Sequence, residues 1–382
     1  MESGRRKNLY GWSRAELGRL VEELGLPPYR GRQLFRHLYR RSVSDFAEMT
    51  DLGAGLRETL ASRFEIRRPQ VVGREQSGGG TVRLLLEFDD GARVDAVAIP
   101  TRRKAAGGRS GRARSGRGAT AGGPGDREDL TVCVSTQVGC PLACTFCRSG
   151  AIRFARNLTP GEIVSQVLFA EREVPGGPRP RRRNVVFMGM GEPLLNTDAV
   201  LASLELLTDA EGFGISPRRI TVSTVGLPDG MRRLAAEAPR VGIAVSLHAG
   251  EDRTRVRFMP IGRKHGMDEI FGVLADLPRR RGRRITLEYV LLGGENDDLA
   301  SARALIARLL SLSKKGIRAR VNLIVFNPWR DPAPGPPHRP GTEADAERFL
   351  AVVAAAGYRV TLRRSRGRDV GAACGQLAAT PV

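Results

Sequence analysis

Between Ser13 and Gly25, the apolar residues Leu17, Leu20, Val21 and Leu24 recur three and four positions apart, which gives a helix one hydrophobic face. Ser13 and Glu16 form a capping box at its start, and Gly25 supplies its stop. Further helices are predicted over 30–39 and 55–64. The period then changes to two: residues 81–88 and 92–99 alternate around Asp89-Asp90-Gly91, as in a β-hairpin.

From residue 130 onward, short apolar runs alternate with amphipathic stretches. Strands are predicted at 131–135, 184–188, 220–223, 242–246, 285–292 and 321–326, separated by helical segments such as 160–173, 198–208 and 299–312. Strands interleaved with helices imply parallel βαβ units. Six strands are fewer than the eight of a closed barrel. The expected fold is therefore α/β, a partial (β/α)6 barrel with an N-terminal helical accessory domain and a β-hairpin extension. A last helix capped by Thr342 should lead to a strand at 358–362 and a glycine-flanked tail.

One stretch fits neither period. Residues 101–128 are rich in Gly, Arg, Ser and Ala, hold no aromatic residue, and cannot bury enough surface to fold. The chain thus divides into an accessory domain at 1–68, a hairpin extension at 69–100, a disordered basic insertion at 101–128 and a catalytic domain at 129–382.

Charge adds a partner. The 382 residues include 62 basic and 41 acidic side chains, a formal net charge of +21, which favours a polyanion such as RNA or DNA. An Arg-, Ala- and Gly-rich composition can also reflect GC-rich coding, so charge alone is a weak guide. Arginine runs at 279–281, 283–284 and 363–368 could meet phosphates. No apolar stretch approaches membrane-spanning length and no secretory hydrophobic segment opens the chain, so a soluble cytoplasmic protein is expected. Five cysteines, odd in number and clustered, do not suggest a disulfide framework.

Three of them carry the chemistry. Cys140, Cys144 and Cys147 stand in a C-x3-C-x2-C run, able to hold three irons of a cubane cluster and leave the fourth open. The alternative is a zinc ion completed by Cys133 or a distant histidine, although no second cysteine pair is present. After the predicted strands come Gly189-Met190-Gly191-Glu192-Pro193, Ser223, Ser246-Leu247-His248 and Asn327. The glycines permit close backbone approach, and Glu192 can accept hydrogen bonds from an ammonium group. Each is an ordinary strand end alone; together they outline a ligand bed.

This constellation resembles the radical S-adenosylmethionine (SAM) enzymes. With Val132-Cys133-Val134-Ser135-Thr136-Gln137-Val138-Gly139-Cys140, Arg363-Arg364-Ser365-Arg366-Gly367 and Ala372-Ala373-Cys374-Gly375-Gln376-Leu377, it resembles the RlmN/Cfr family of radical SAM RNA adenine methyltransferases, closest to the RlmN type. The segments Pro28-Tyr29-Arg30-Gly31-Arg32-Gln33-Leu34 and Glu48-Met49-Thr50-Asp51-Leu52 also look like this family.

The resemblance implies that Cys140, Cys144 and Cys147 bind a [4Fe-4S] cluster. It implies that Gly191, Glu192, Ser223, Ser246, Leu247, His248 and Asn327 contact S-adenosyl-L-methionine. Cys374 then takes a methyl group from one SAM, a radical made from a second SAM activates that methyl, and the carbon joins adenine as a protein–RNA adduct. Cys133 closes a disulfide with Cys374 to release the product. Such chemistry suits carbon 2 of adenine, which lies between two ring nitrogens and is a poor nucleophile.

The implied substrate is 23S rRNA at the peptidyl-transferase centre, with tRNA as a second. The implied helper is a flavodoxin-type electron donor, and the enzyme is expected to be a monomer. Two alternatives remain at this stage: a Cfr-type C8 methyltransferase giving ribosome-antibiotic resistance, and a non-catalytic, metal-stabilised RNA-binding protein. The family commonly has a glutamate as proposed proton acceptor where this chain has Asp95, whose reach is one methylene shorter. Gly250, Gly262 and Val325 also depart from the family pattern.

Overall fold

The computed structural model describes residues 6–101, 129–174, 182–278, 285–329 and 336–379. The insertion from 102 to 128 and the arginines at 279–281 and 283–284 lie outside the described residues. Helices α1 (Arg14–Glu23), α2 (Tyr29–Arg36) and α3 (Ala54–Arg63) open the chain. Ser13 and Glu16 make the capping box reciprocally, and Gly25 follows with φ +72°. The second helix ends earlier than its periodicity suggests, because residues His37–Arg41 widen into a π-helical turn.

One ten-stranded sheet organises the rest. Its strands are β1 (Gln70–Gln76), β2 (Val82–Glu87), β3 (Arg93–Thr101), β4 (Asp129–Cys133), β5 (Arg182–Phe187), β6 (Ile220–Thr224), β7 (Gly242–Ser246), β8 (Ile285–Leu291), β9 (Ala319–Val325) and β10 (Arg359–Arg363). They lie side by side in chain order, with β1 and β10 at the two edges. From β4 to β10 every pairing is parallel, while β1, β2, β3 and β4 pair antiparallel. The sheet is open, as a partial barrel requires.

The crossovers carry helices α4 (Pro160–Arg172), α5 (Thr197–Thr208), α6 (Pro228–Glu237), α7 (Met267–Asp276), α8 (Leu299–Lys314) and α9 (Glu343–Ala355). This matches the expected six βα units, and β10 adds a seventh parallel strand. The hairpin is also larger than its sequence pattern: β1 makes it a three-stranded antiparallel extension. That strand carries a bulge between Val71 and Gly73 and mostly polar residues, so its sequence gave little strand signal.

The larger of two apolar clusters runs from Leu17, Leu34 and Phe35 of the N-terminal helices through Leu84 and Val94 into Val185, Val222 and Leu287 of the barrel. Burying that face is what fixes the strand register, since a one-residue slip would turn every apolar side chain outward. All the parallel strands then present their C-terminal ends to one side, where loops can gather functional groups.

Candidate active site

The cysteine run leaves β4 and is closed at its base by Gln137–Val138 pairing with Arg156–Asn157. Gly139 has φ +73°, and a Cβ there would stand 2.3 Å from the Arg153 carbonyl oxygen. Only glycine allows the two backbones to approach so closely. Cys147 N–H donates to the Cys144 carbonyl at 3.0 Å, Thr145 N–H to Phe258 O at 3.0 Å, and Trp329 Nε1 to Phe146 O at 3.1 Å. Phe146, Phe258, Met259 and Phe326 pack beside Cys144 and Cys147 as an apolar jacket.

Burial pushes the Cys140 thiol up to about 12, and raises Cys144 and Cys147 as well, with the neighbouring thiols adding to the effect on Cys144. Thiols so desolvated ionise when iron takes the place of the proton. All three line one cavity. Three thiolates facing one cavity can each take one iron corner of a cubane cluster and leave the fourth iron open to a ligand. The donor set fits the cluster.

The same cavity is lined by Gly191, Glu192, Ser223, Ser246, His248 and Asn327, a mix of apolar wall and a few convergent polar groups that suits a cofactor such as SAM. Gly191 has φ +94°, and a Cβ there would meet Gln137 Cβ at 2.5 Å. Glu192 is oriented by two backbone donors: Leu194 N–H to Oε1 at 3.0 Å and Val225 N–H to Oε2 at 2.9 Å. Burial nevertheless raises its carboxyl to about 7. A cationic ligand beside it would restore the charge. His248 is pushed down to about 3 by burial, with Arg255 contributing, so its imidazole is neutral. Its Nδ1 accepts from Val290 N–H at 3.0 Å, which leaves Nε2–H as the donor of that tautomer.

Two expected SAM contacts are placed differently. Leu247 is fully buried in the core and does not line the cavity; its backbone N–H donates to Glu288 O at 3.0 Å. Asn327 lines the cavity, but its amide serves the C-terminal loop. Nδ2 donates to Cys374 O at 3.0 Å and to Ser365 Oγ at 2.9 Å, and Oδ1 accepts from Arg368 Nε at 2.7 Å.

Cys374 lines this cavity and also a second chamber of about 870 Å³, which it shares with Cys133, Glu288 and Arg363. Cys133 is buried and its thiol is pushed up to about 12; Cys374 is an exposed residue whose thiol is nevertheless raised by desolvation around the sulfur, and the Arg363 guanidinium pulls each the other way. Glu288 is a buried carboxyl raised by desolvation. Its Oε1 accepts from Asn322 Nδ2 at 2.9 Å, whereas Oε2 has no hydrogen-bond partner and stands 3.8 Å from Arg363 Nη1. Sequence reasoning missed Glu288; the available signal was a lone acid in the otherwise apolar run Ile285–Leu291. It had also treated Arg363 only as part of a basic run.

Asp95, expected as proton acceptor, lines none of the cavities that Cys374 reaches. It is fully buried, and its carboxylate is occupied by Arg83 and two backbone N–H groups. The expected role loses its geometric basis.

Comparison with known proteins agrees with this architecture. Residues 134–305 match the radical SAM superfamily model, and residues 7–66 match the ribosomal RNA large subunit methyltransferase N-terminal domain. The dual-specificity RNA methyltransferase RlmN of Rhodospirillum rubrum is 41% identical over 379 residues, covering 97% of this chain and 80% of that protein. A probable dual-specificity RNA methyltransferase RlmN of Thermus thermophilus is 42% identical over 360 residues, covering 94% and 91%. The crystal structure of a radical SAM methyltransferase from Sphaerobacter thermophilus superposes with a TM-score of 0.82 at 36% identity, covering 98% of this chain and all of that one. Neither the mononuclear zinc protein nor the non-catalytic binder is favoured by these relatives. The chain belongs to the RlmN family of radical SAM RNA methyltransferases.

Proposed function

We propose that the protein methylates carbon 2 of an adenine in 23S rRNA and in tRNA, using Cys374 as methyl carrier and Cys133 as resolving thiol. One observation carries the reading of the thiols: Cys374 borders both the cavity of the three cluster cysteines and the chamber that holds Cys133. A carrier must face its methyl source on one side and its resolving partner on the other.

Cys140, Cys144 and Cys147 would hold the [4Fe-4S] cluster. Glu192, Ser223, Ser246 and His248 would hold the polar groups of SAM, with Gly191 allowing close approach. When bound, the cluster and SAM together supply the one-electron chemistry that an electron-poor ring carbon requires. The chain's own part is placement. The Arg363 guanidinium favours the ionised form of either thiol, the state in which sulfur attacks. Cys133, as its thiolate, then attacks the Cys374 sulfur; the new S–S bond forms as the S–C bond breaks, the bonding pair leaves with the methylene carbon, which takes a proton to become the methyl group, and the resulting disulfide needs a cellular reductant.

The target base must leave its stack to reach the barrel mouth. The N-terminal unit 1–68 would act as the RNA-binding accessory domain, in a chain whose net charge of +21 as a whole favours a polyanion. We further propose a monomeric, cytoplasmic enzyme served by a flavodoxin-type donor; among the described residues no helix is long and apolar enough to cross a membrane. The C8 alternative is not favoured, since the relatives named above are of the RlmN type.

Anaerobic reconstitution with SAM, a reductant, 23S rRNA and tRNA, followed by nucleoside mass spectrometry, tests the reading. It expects 2-methyladenosine in both RNAs. A product methylated at carbon 8, or none in either RNA, overturns it.

A further inference from the structure

Asp95 joins the antiparallel extension to the C-terminal loop. In its place on β3, Oδ1 accepts from Arg83 Nε at 2.9 Å and Oδ2 accepts from Arg83 Nη2 at 3.2 Å. Oδ2 also accepts from the backbone N–H groups of Ala378 and Ala379, at 2.9 and 2.8 Å. Oδ2 therefore gathers three donors and Oδ1 one, so the side chain is held from both the strand and the loop. The backbone is held too: Asp95 O accepts from Ser135 Oγ at 2.7 Å, and the same Oγ accepts from Met190 N–H at 2.9 Å, at the turn that delivers Gly191 and Glu192.

The two alanines follow Cys374 by four and five residues. Ala379 is left-handed, with φ +52°, a conformation that costs a β-carbon residue free energy and needs holding. Between Cys374 and Ala378 the loop is pinned to the cluster side: Gly375 O accepts from Arg148 N–H at 2.8 Å, and Leu377 O accepts from Ser149 Oγ at 2.6 Å. Gln376 Nε2 donates to Pro328 O at 2.8 Å. Asp95 therefore anchors the C-terminal side of the loop to the antiparallel extension, to which Arg366 (on Pro100 O) and Asp369 (from Gly78 N–H) tie the segment before Cys374.

We propose that Asp95 is a positioning residue: with Arg83 it moors the C-terminal side of the Cys374 loop and so holds that thiol between the two chambers. The proposal rests on the carrier role of Cys374. Aspartate suits the task, because one further methylene in a fully buried site would drive the carboxylate into the Ala378–Ala379 backbone. Through these bonds the antiparallel strands β1 to β3 gain a function beyond extending the sheet.

The test uses the full-length protein with its cluster, free of RNA. Iodoacetamide alkylation of the unmethylated Cys374 thiol is followed by mass spectrometry of the C-terminal peptide. Asp95→Asn turns one acceptor into a donor facing donors. It is expected to raise alkylation on the order of ten-fold, the scale of one lost charged hydrogen bond. It should also lower the fraction of Cys374 that SAM methylates and trap no protein–RNA adduct. Asp95→Glu should not rescue.

A proton acceptor behaves otherwise. Asp95→Asn would then leave alkylation and S-methylation at the parent rate and accumulate adduct, and Asp95→Glu would turn over normally; either result overturns the proposal. If Asp95→Asn loses its fold by iron content and melting, Ala378→Pro removes one N–H donor while keeping the Asp95–Arg83 pair. Faster alkylation in that variant supports the mooring, and an unchanged rate overturns it. RNA methylation by Cys374→Ala would end the carrier reading but leave the alkylation result standing, so the two ideas fail separately.

Discussion

The wall that presents the three cluster cysteines and the wall that presents Cys374 are built by different means. On the first, backbone lies against backbone. A Cβ on Gly139 would stand 2.3 Å from Arg153 O, one on Gly150 2.9 Å from Cys144 N, and one on Gly191 2.5 Å from Gln137 Cβ. On the second, side chains of Asn327, Ser149 and Asp95, from distant segments, reach loop backbone, and the loop's own Gln376 reaches out to Pro328 O. Packed backbone yields only by a shift of whole segments, whereas hydrogen bonds of about 0.5–1.5 kcal/mol exchange one at a time. The wall that grips reagents is fixed, and the wall that passes a methyl group between partners is tethered by replaceable bonds.

The largest expected effect lies on the fixed wall. Cys144→Ser should reduce iron to background and abolish RNA methylation, because no slack exists for another side chain to take the vacant place. Full iron content in that variant, measured after anaerobic purification, would break the comparison. The tethered wall should fail without losing the cofactor. Cys374→Ala is expected to keep its iron and lose methylation, while Cys133→Ala should keep its iron and hold RNA in a covalent adduct visible on a denaturing gel. Normal turnover by either variant removes that thiol from the scheme.

A pair of milder substitutions sharpens the contrast. Gly150→Ala forces a Cβ against the Cys144 backbone and should cost about 1–3 kcal/mol of stability. Gln376→Ala removes the bond to Pro328 O and should cost about 0.5–1.5 kcal/mol while speeding alkylation of Cys374. Denaturant melts and thiol labelling measure the two together. Equal labelling of Cys374 in both variants would mean the walls do not differ in kind.

The same division explains what could be read from sequence. The fixed wall follows local rules: spacing of cysteines, glycines at tight turns, polar residues after apolar strands. Its ligands and most of the SAM bed were accordingly visible in the chain. The tethered wall depends on meetings between segments hundreds of residues apart, such as Asp95 with Ala378 and Asn327 with Cys374. No periodicity encodes those. Asp95 looked like a shortened base because only its strand position was legible, and its partners were not. Strand β1 was lost for a local reason: Gln70–Gln76 is a polar, bulged edge whose residues need not alternate toward a core. Strand β10 was recognised, but its place as a seventh parallel member depends on pairing with β9.

The last predicted effect concerns charge on the fixed wall and is read as a slope in pH. Glu192 has its carboxyl raised from 4.5 to about 7, chiefly by burial. Between those values the folded, cofactor-free protein keeps a proton that the unfolded chain releases. Its contribution to stability is therefore full below pH 4.5 and is lost as pH rises toward 7, by an amount on the order of 3 kcal/mol. His248 has the opposite sign: lowered from 6.5 to about 3 by burial, it contributes fully above pH 6.5 and loses that contribution as pH falls. From pH 4.5 to 6.5 the two slopes oppose each other, and above 6.5 only the Glu192 loss remains. Glu192→Gln cannot ionise, so its melting temperature relative to the parent should climb as pH is raised from 5 to 7.5. SAM should reduce that gain, because an ammonium group beside Glu192 draws its carboxyl back toward the ordinary range. A difference between variant and parent that is flat in pH would mean the carboxylate is ionised throughout, and that the wall already supplies the positive partner assigned here to the ligand.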